Sequence, residues 1–133
     1  MDFGHWIYNG PEVDMSTMIG FIYIIKRKFP TPKFYIGKKL LVFKKKKKPL
    51  KGRVNSRRSI VESDWKIYCG SSNKLNEDIT KFGKENFSFE ILLFRPSKML
   101  LSYYETKEII DRNAIFDVNY YNEIVNIRVR NRK

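Results

Sequence analysis

The segments Ile19-Gly-Phe-Ile-Tyr-Ile-Ile25 and Lys33-Phe-Tyr-Ile-Gly37 decide the fold of this chain. Both are rich in β-branched and aromatic residues, which predicts two strands. Pro30-Thr31-Pro32 lies between them and predicts a turn, so the strands form a hairpin with a loop longer than two residues. Tyr23 then pairs within about two residues of Tyr35. Because the two positions have the same parity, both phenols are expected on one face.

Composition predicts a single domain, residues 1–133, with a nucleic-acid partner. The 133 residues include 42% hydrophobic residues, enough for one core. The formal net charge is +13. Such an excess of cations is typical of proteins that bind polyanions, because neutralising phosphates releases condensed counterions. Simple solubility is the competing interpretation of this charge.

The rare residue types exclude several kinds of site. Cys69 is the only cysteine, which excludes an internal disulfide and a cysteine zinc site. His5 is the only histidine, which excludes chemistry that needs paired histidines. No apolar run approaches the length of a membrane span and no signal peptide is recognisable, so we expect no membrane association and a cytoplasmic location.

Residues 38–58 carry eight lysines and three arginines with no acid. Like charges at this density repel each other, so the segment predicts a solvated basic loop or arm. Its place directly after the tyrosine hairpin favours contact with DNA, although a disordered solubilising loop is the alternative. The candidate DNA-binding residues are Lys38, Lys39, Lys44, Lys45, Lys46, Lys47, Lys48 and Arg53.

The second half of the chain predicts two helices and one strand. Ser71 or Ser72 can cap a helix that ends at Gly83. Alternating apolar residues predict a strand over residues 86–94. Ser97 can cap a second helix that runs to about residue 112.

These elements predict an α+β fold with a small three-stranded antiparallel sheet flanked by two helices. The sheet would contain the tyrosine hairpin and the strand over residues 86–94. Residues 1–18 show no clear periodicity and predict an irregular N-terminal arm, in which His5 and Trp6 are packing residues.

Glu105 interrupts an apolar stripe on the second predicted helix. Leu101, Glu105 and Ile109 are spaced by four residues and share one face. A buried carboxylate needs a compensating cation, and Mg²⁺ accepts one carboxylate together with phosphate oxygens and water. A surface glutamate paired with Lys98 or Lys107 is the simpler interpretation of the spacing alone.

The order of these features resembles the GIY-YIG nuclease superfamily over residues 19–127. Tyr35-Ile36-Gly37 matches its second signature, and Phe21-Ile22-Tyr23 resembles the first, with Gly20 one place early. Glu105 is at the position of the family's metal-binding glutamate, and Tyr121-Asn122 resembles its closing pair. Further similarity to phage-encoded members lies in Tyr68-Cys69-Gly70-Ser71-Ser72, Leu75, Ile79, Phe82-Gly83, Asn86-Phe87 and Glu90-Ile91-Leu92.

The resemblance implies a site for one divalent metal, Mg²⁺ or Mn²⁺, bound by Glu105. It implies that Tyr23 is the general base and that Tyr35 contacts the scissile phosphate. A phenol is a weak base at neutral pH, but a nearby metal and lysines would lower its pKa. Asn122 would order the metal shell or the last strand. Tyr68 is either a further site residue or a core tyrosine.

The family's arginine has no counterpart in its usual place, where this chain has lysines. Arg57 or Arg58 is the preferred candidate, and Arg53 is a third. Lys38 or Lys39 can assist, although a lysine lacks the bidentate fork of a guanidinium group.

We therefore expect a metal-dependent DNA endonuclease that acts on double-stranded DNA, as a free-standing phage or mobile-element nuclease in the host cytoplasm. Specificity would come from the basic segment, the N-terminal arm, a homodimer or a partner protein. The alternative is a non-catalytic basic domain that binds nucleic acid by stacking and phosphate contacts.

Overall fold

A mixed four-stranded sheet and a separate two-stranded ribbon form the framework of the computed structural model, which describes residues 2–47 and 57–125. The sheet has the order β1-β6-β2-β3, and β4 pairs with β5 in the ribbon. Short 3₁₀ turns lie at Met15–Thr17, Trp65–Ile67 and Lys84–Asn86. The strands and helices are β1 Ile7–Tyr8, β2 Gly20–Arg27, β3 Lys33–Leu40, β4 Val42–Lys47, β5 Arg57–Glu62, α1 Asn73–Phe82, β6 Phe87–Arg95 and α2 Lys98–Asp111.

The tyrosine hairpin, β2 with β3, has the predicted register. Tyr23 lies opposite Gly37, and Tyr35 lies opposite Ile25, two positions along the same strand. The rings of Tyr23 and Tyr35 are on one face, with their centroids 6.1 Å apart. The prediction of two adjacent phenols is confirmed.

The prediction of a three-stranded antiparallel sheet is wrong. β6 is antiparallel to β2 as expected, but β1 adds a fourth strand parallel to β6, with Ile7 opposite Glu90. The N-terminal arm is drawn onto the sheet because its aromatic residues bury well: Trp6 is only 4% exposed and Tyr8 packs edge-on against Phe94. The predicted packing role of Trp6 is thereby confirmed.

The prediction of a solvated loop or arm over residues 38–58 is wrong for the loop: where the structure describes them, these residues lie mainly in strands. Residues 38–40 complete β3, and residues 42–47 pair with 57–62 in what we call the basic ribbon. Charge repulsion disfavours burial of lysines, but it does not prevent their backbone groups from pairing across a two-stranded ribbon. Val42, Phe43, Ile60 and Val61 add β-forming side chains at its root.

The sheet separates two apolar layers. Phe21 is fully buried on one face in an aromatic layer with Trp6 and Trp65. On the other face α2 packs Leu101 and Ile109 against an aliphatic layer made by Ile22, Ile24, Ile36 and Ala114. A Cβ on Gly20 would meet Leu101 Cδ1 at 2.6 Å, so this glycine allows α2 to approach the sheet closely.

Both helices begin and end near the predicted residues. Ser72, and not Ser71, is the N-cap of α1, and its hydroxyl accepts a hydrogen bond from the Leu75 N–H. Gly83 follows α1 at φ +92°, a conformation that favours glycine. Ser97 caps α2 in the same way through the Leu100 N–H. No helix among the described residues is long and apolar enough to cross a bilayer.

Candidate functional site

The outer edge of β3 is closed by partners that also build the site. On an edge strand, alternate residues direct their backbone N–H and C=O groups outward, where they need partners. Phe34 donates to the Asn119 carbonyl and accepts from the Tyr121 N–H, both at 2.8 Å. Ile36 is paired by a side chain: Asn122 Oδ1 accepts from its N–H at 3.0 Å, and Asn122 Nδ2 donates to its carbonyl at 2.8 Å. Asn122 therefore acts as a short substitute for a strand and fixes Ile36.

The next two outward residues face a carboxylate and a hydroxyl. The backbone N–H of Lys38 lies near the Glu105 carboxylate and lowers its pKa, and the Ser63 hydroxyl donates to the Leu40 carbonyl at 2.5 Å. Residues 119–122 pair with β3 only as far as Ile36, and Glu105 lies beside the next outward residue, Lys38. This arrangement leaves the carboxylate half-buried at the rim of the sheet, next to the hairpin tyrosines.

Burial and Lys38 act in opposite directions on the pKa of the Glu105 carboxyl group. Burial raises the pKa of its carboxyl group, while the positive charge and the backbone N–H of Lys38 lower it. The Lys38 side chain is held across the strand edge, where its Nζ donates to Ser102 Oγ on α2 at 2.7 Å. The site therefore already places the positive charge of Lys38 beside the Glu105 carboxylate.

Gly37 makes room for the Tyr23 hydroxyl. A Cβ built on Gly37 would overlap the Tyr23 Oη and Cζ atoms, so only glycine fits opposite this phenol. The Tyr23 side chain is 1% exposed. Burial, with smaller contributions from Tyr35, Tyr68 and Glu105, raises the pKa of Tyr23 well above its usual value. In this state the phenol is protonated at neutral pH.

Tyr35 is more accessible than Tyr23 and has a serine partner. Its hydroxyl lies 2.9 Å from Ser71 Oγ, and burial raises its pKa. Ser71 is available for this contact because the neighbouring Ser72 supplies the cap of α1. The Tyr35 hydroxyl is thus aimed by the start of α1.

Tyr68 belongs to the same cluster. Its ring meets the Tyr23 ring edge-on at 6.2 Å, and Lys39 Nζ lies over its face at 4.1 Å. The imidazole of His5 donates from Nε2 to the Tyr68 carbonyl at 2.8 Å and stacks on Phe89. Tyr68 thus contacts Tyr23 and also packs against the aromatic core, and its role in the site stays a prediction. We call Tyr23, Tyr35, Tyr68 and Glu105 the tyrosine–glutamate cluster.

A charged network holds the C-terminal segment against the hairpin. The Tyr121 hydroxyl donates to Asp78 Oδ2 at 2.5 Å, and Arg27 contacts Asp78 at 2.9 Å and Tyr121 at 3.2 Å. β2, α1 and the segment that carries Asn122 are thereby joined. Tyr121 and Asn122 consequently position the site indirectly, because both hydrogen-bond the backbone of β3, the strand that carries Tyr35.

The predicted arginines and most of the predicted lysines lie elsewhere. Arg57 and Arg58 are in β5, opposite Lys47 and Lys46, toward the end of the ribbon remote from its root. Lys44 and Lys45 lie in β4, and Lys48 and Arg53 fall outside the described residues. Lys38 and Lys39 are the predicted cations that the structure brings to the cluster.

Three contributors were not recognised in the sequence. Gly37 was assigned only to the signature. That it leaves room for the Tyr23 hydroxyl can be seen only from the register of β2 and β3. Ser71 and Ser72 were interchangeable as caps, so the contact of Ser71 with Tyr35 had no local signal. His5 was assigned to packing, and its bond to Tyr68 spans 63 positions.

The cluster offers one carboxylate for a metal. Among the described residues no group of three or more His, Cys, Asp and Glu side chains converges. A single half-buried carboxylate beside phenol oxygens fits a hard cation such as Mg²⁺ or Mn²⁺, which binds few protein ligands and completes its shell with water and phosphate oxygens.

Comparison with known proteins agrees with this geometry. Residues 6–125 match the family model described as "Putative endonuclease segE, GIY-YIG domain". No curated protein and no solved structure matches the chain. The match begins in the arm that forms β1 and ends just after Asn122, so it spans the sheet, both helices and the whole tyrosine–glutamate cluster. This chain belongs to the GIY-YIG nuclease superfamily, in the segE endonuclease family.

Proposed function

We propose that this chain is a divalent-metal-dependent endonuclease that hydrolyses phosphodiester bonds of double-stranded DNA. The observation that carries the proposal is the convergence of Tyr23, Tyr35 and Tyr68 with the half-buried Glu105 at the rim of a basic protein. Phenols and one carboxylate, with lysines beside them, supply the groups that phosphodiester hydrolysis needs: a proton acceptor, phosphate donors and a metal ligand.

Glu105 holds the metal ion in this proposal. The bound ion supplies Lewis-acid stabilisation of the charge that develops on the phosphate and lowers the pKa of its water. The nearby backbone N–H of Lys38 favours the ionised form of Glu105, and the half-burial of Glu105 disfavours its charge until a cation arrives. Both effects favour binding of a cation to this carboxylate.

Tyr23 accepts the proton of the attacking water. Because burial keeps its phenol protonated in the free protein, the role requires added positive charge near the hydroxyl. A cation at Glu105 would supply it, since the Glu105 carboxylate is close enough to influence the pKa of Tyr23. Gly37 leaves the space that the Tyr23 hydroxyl occupies, and this role requires the buried hydroxyl to meet water when DNA and metal bind.

Tyr35 and Tyr68 donate hydrogen bonds to the scissile phosphate, and Lys38 and Lys39 neutralise it. Lys38 is exposed, and Lys39 is already positioned by Asp64 at 2.6 Å. These lysines stand where the family uses an arginine. Arg57 and Arg58 remain predictions for that role. From the ribbon they would contact phosphates of DNA that lies along it.

A non-catalytic nucleic-acid-binding domain is the second candidate. Its support is the burial of Tyr23, which is 1% exposed in the free protein. It predicts DNA binding without metal and without any need for Glu105.

The test is cleavage of supercoiled plasmid by purified protein with Mg²⁺, Mn²⁺ or EDTA. We expect nicked or linear product only with metal, and a loss of at least about a hundredfold in rate for Glu105→Gln and Tyr23→Phe. Tyr103→Phe is the matched control, because Tyr103 lies on the same helix as Glu105 and is exposed.

Uncut DNA that is bound equally by the parent protein and Glu105→Gln would favour the second candidate. Cleavage that survives EDTA, or that is unchanged in Glu105→Gln, would contradict the metal site. Equal losses in Tyr23→Phe and Tyr103→Phe would contradict the role of Tyr23.

A further inference from the structure

The basic ribbon leaves the body of the protein directly beside the tyrosine–glutamate cluster. Its root is fixed by the Leu41 N–H, which donates to the Ile19 carbonyl at 2.8 Å, and by the Ser63 N–H, which donates to the Leu41 carbonyl at 2.9 Å. Lys39 precedes this root, and its Nζ lies over the Tyr68 ring. Whatever the ribbon binds is therefore held next to the candidate site.

The composition of the ribbon matches a polyanion. The two strands contain six cations, Lys44 to Lys47 with Arg57 and Arg58, against the single acid Glu62. Their backbones pair over six consecutive positions, from Val42 opposite Glu62 to Lys47 opposite Arg57. Neither strand joins the four-stranded sheet, so in the described part of the chain the two strands pair only with each other.

The dimensions of the ribbon match one groove of duplex DNA. Two paired strands lie about 4.8 Å apart, and six residues extend for roughly 20 Å. The major groove of B-DNA is about 12 Å wide and admits a two-stranded ribbon, whereas the minor groove, at about 6 Å, would have to widen to admit one. A single strand of DNA offers no groove of either kind.

Two apolar side chains of the ribbon remain in solvent. Phe43 is 46% exposed and Ile60 is 69% exposed. They occupy positions of opposite parity in the register, because Phe43 pairs with Val61 while Ile60 pairs with Lys44. Each face of the ribbon thus carries one apolar contact of the kind that recognises thymine methyl groups, next to cations that suit phosphates and guanine edges.

We propose that the basic ribbon inserts into the major groove of double-stranded DNA and sets the position of the cleaved bond. This inference rests on the proposed function for its substrate and adds the element that engages it. The described part of the ribbon corresponds to about six base pairs at 3.4 Å per pair, so its groove contacts cover at least about this length on one side of the cut.

The first experiment measures binding without cleavage. Glu105→Gln protein in EDTA is titrated against a labelled duplex and against one of its strands, over a range of salt concentrations. Replacing Lys45, Lys46 and Lys47 by Gln lowers the salt slope for the duplex by about two to three, and weakens binding more than tenfold at low salt. Duplex binding falls more than single-strand binding.

The matched control removes the same charge elsewhere. Lys28, Lys81 and Lys84 are exposed and lie near the far end of β2 and the end of α1. Their triple replacement by Gln lowers the slope by less than about one, if the ribbon and not net charge engages the DNA. Arg57→Gln with Arg58→Gln tests the opposite strand of the ribbon, and thermal melting checks that each variant is folded.

The second experiment identifies the groove. Methyl green, which occupies the major groove, displaces the protein from the duplex, whereas netropsin, which occupies the minor groove, does not. Equal displacement by both, equal slopes for the two triple variants, or equal losses for duplex and single strand would each overturn the proposal. Because no step requires cleavage, these outcomes are separate from those of the plasmid assay.

Discussion

The tyrosine hairpin and the basic ribbon are both antiparallel β-structure, but they are stabilised in different ways. β2 is buried along most of its length. Phe21 and Ile25 are fully buried on one face of the sheet, and Ile22 is fully buried on the other. The ribbon exposes Phe43 and Ile60 and carries a run of lysines. Side-chain burial specifies the first element, and backbone pairing, with a few apolar side chains at the root, specifies the second.

This difference explains which sequence signals were reliable. An apolar, β-branched run predicts a strand because its side chains must leave water. A lysine run indicates only that the side chains stay in water, and it does not report whether the backbone is paired. Charge density therefore predicts exposure and does not predict a loop.

The largest expected contrast is between two phenylalanines on the two elements. Phe21→Ala should destabilise the protein by about 3–5 kcal/mol, because it leaves a cavity in the aromatic layer. Phe43→Ala should cost less than about 1 kcal/mol, because Phe43 is half exposed. Urea unfolding followed by circular dichroism measures both. Similar losses would mean that the ribbon packs against the body far more than its exposure indicates.

A second contrast lies within the hairpin, between two glycines. Gly37→Ala and Gly20→Ala both place a methyl group in filled space, and each should cost about 1–3 kcal/mol. Only Gly37→Ala meets the Tyr23 hydroxyl, so plasmid cleavage should fall at least about tenfold further in that variant. Activity measured well below both melting temperatures makes the comparison. Equal residual activities would show that the space at Gly37 has no catalytic consequence.

The smallest expected effect is a dependence of stability on pH that involves the hairpin side of the molecule and not the ribbon. Burial, with a smaller contribution from Lys84, lowers the pKa of His5 from 6.5 to about 4. Between these values the unfolded chain binds a proton that the folded protein does not, so stability falls as pH drops below about 6.5. With half of the ring near solvent, we expect about 1 kcal/mol between pH 7 and pH 5.

His5→Gln removes this titration and keeps an N–H donor for the Tyr68 carbonyl. The difference in unfolding free energy between parent and variant should change with pH in this window and be constant above it. Folded parent and folded His5→Gln should bind duplex equally in this window, because His5 lies outside the ribbon. A pH-independent difference would contradict the lowered pKa of His5.

The sequence predicted the parts of the fold that depend on local pattern. The hairpin register, the caps of α1 and α2 and the stripe of Leu101, Glu105 and Ile109 follow from periodicity and turn chemistry. β1 was missed because a two-residue strand has no period, and it forms only because Trp6 and Tyr8 reach the sheet. The pairing of β4 with β5 was missed because its signal is backbone hydrogen bonding.

The sequence predicted which residues form the candidate site better than it predicted the contacts that hold them in place. Tyr23, Tyr35, Tyr68 and Glu105 are close together, as the superfamily resemblance implied. Their supports are long-range contacts, such as Asn122 on the Ile36 backbone, 86 positions away. Contacts of this kind depend on the folded arrangement, and no local pattern contains them.

The closed edge of β3 has a consequence for synthesis of the protein. Its outward backbone groups meet partners from the stretch before α1, from α2 and from the segment at residues 119–122. A nascent chain that has emerged only as far as α1 has the hairpin but lacks both Glu105 and Asn122. We expect such a chain to be unable to cleave DNA, so that the proposed cleavage arises only when nearly the whole domain has left the ribosome.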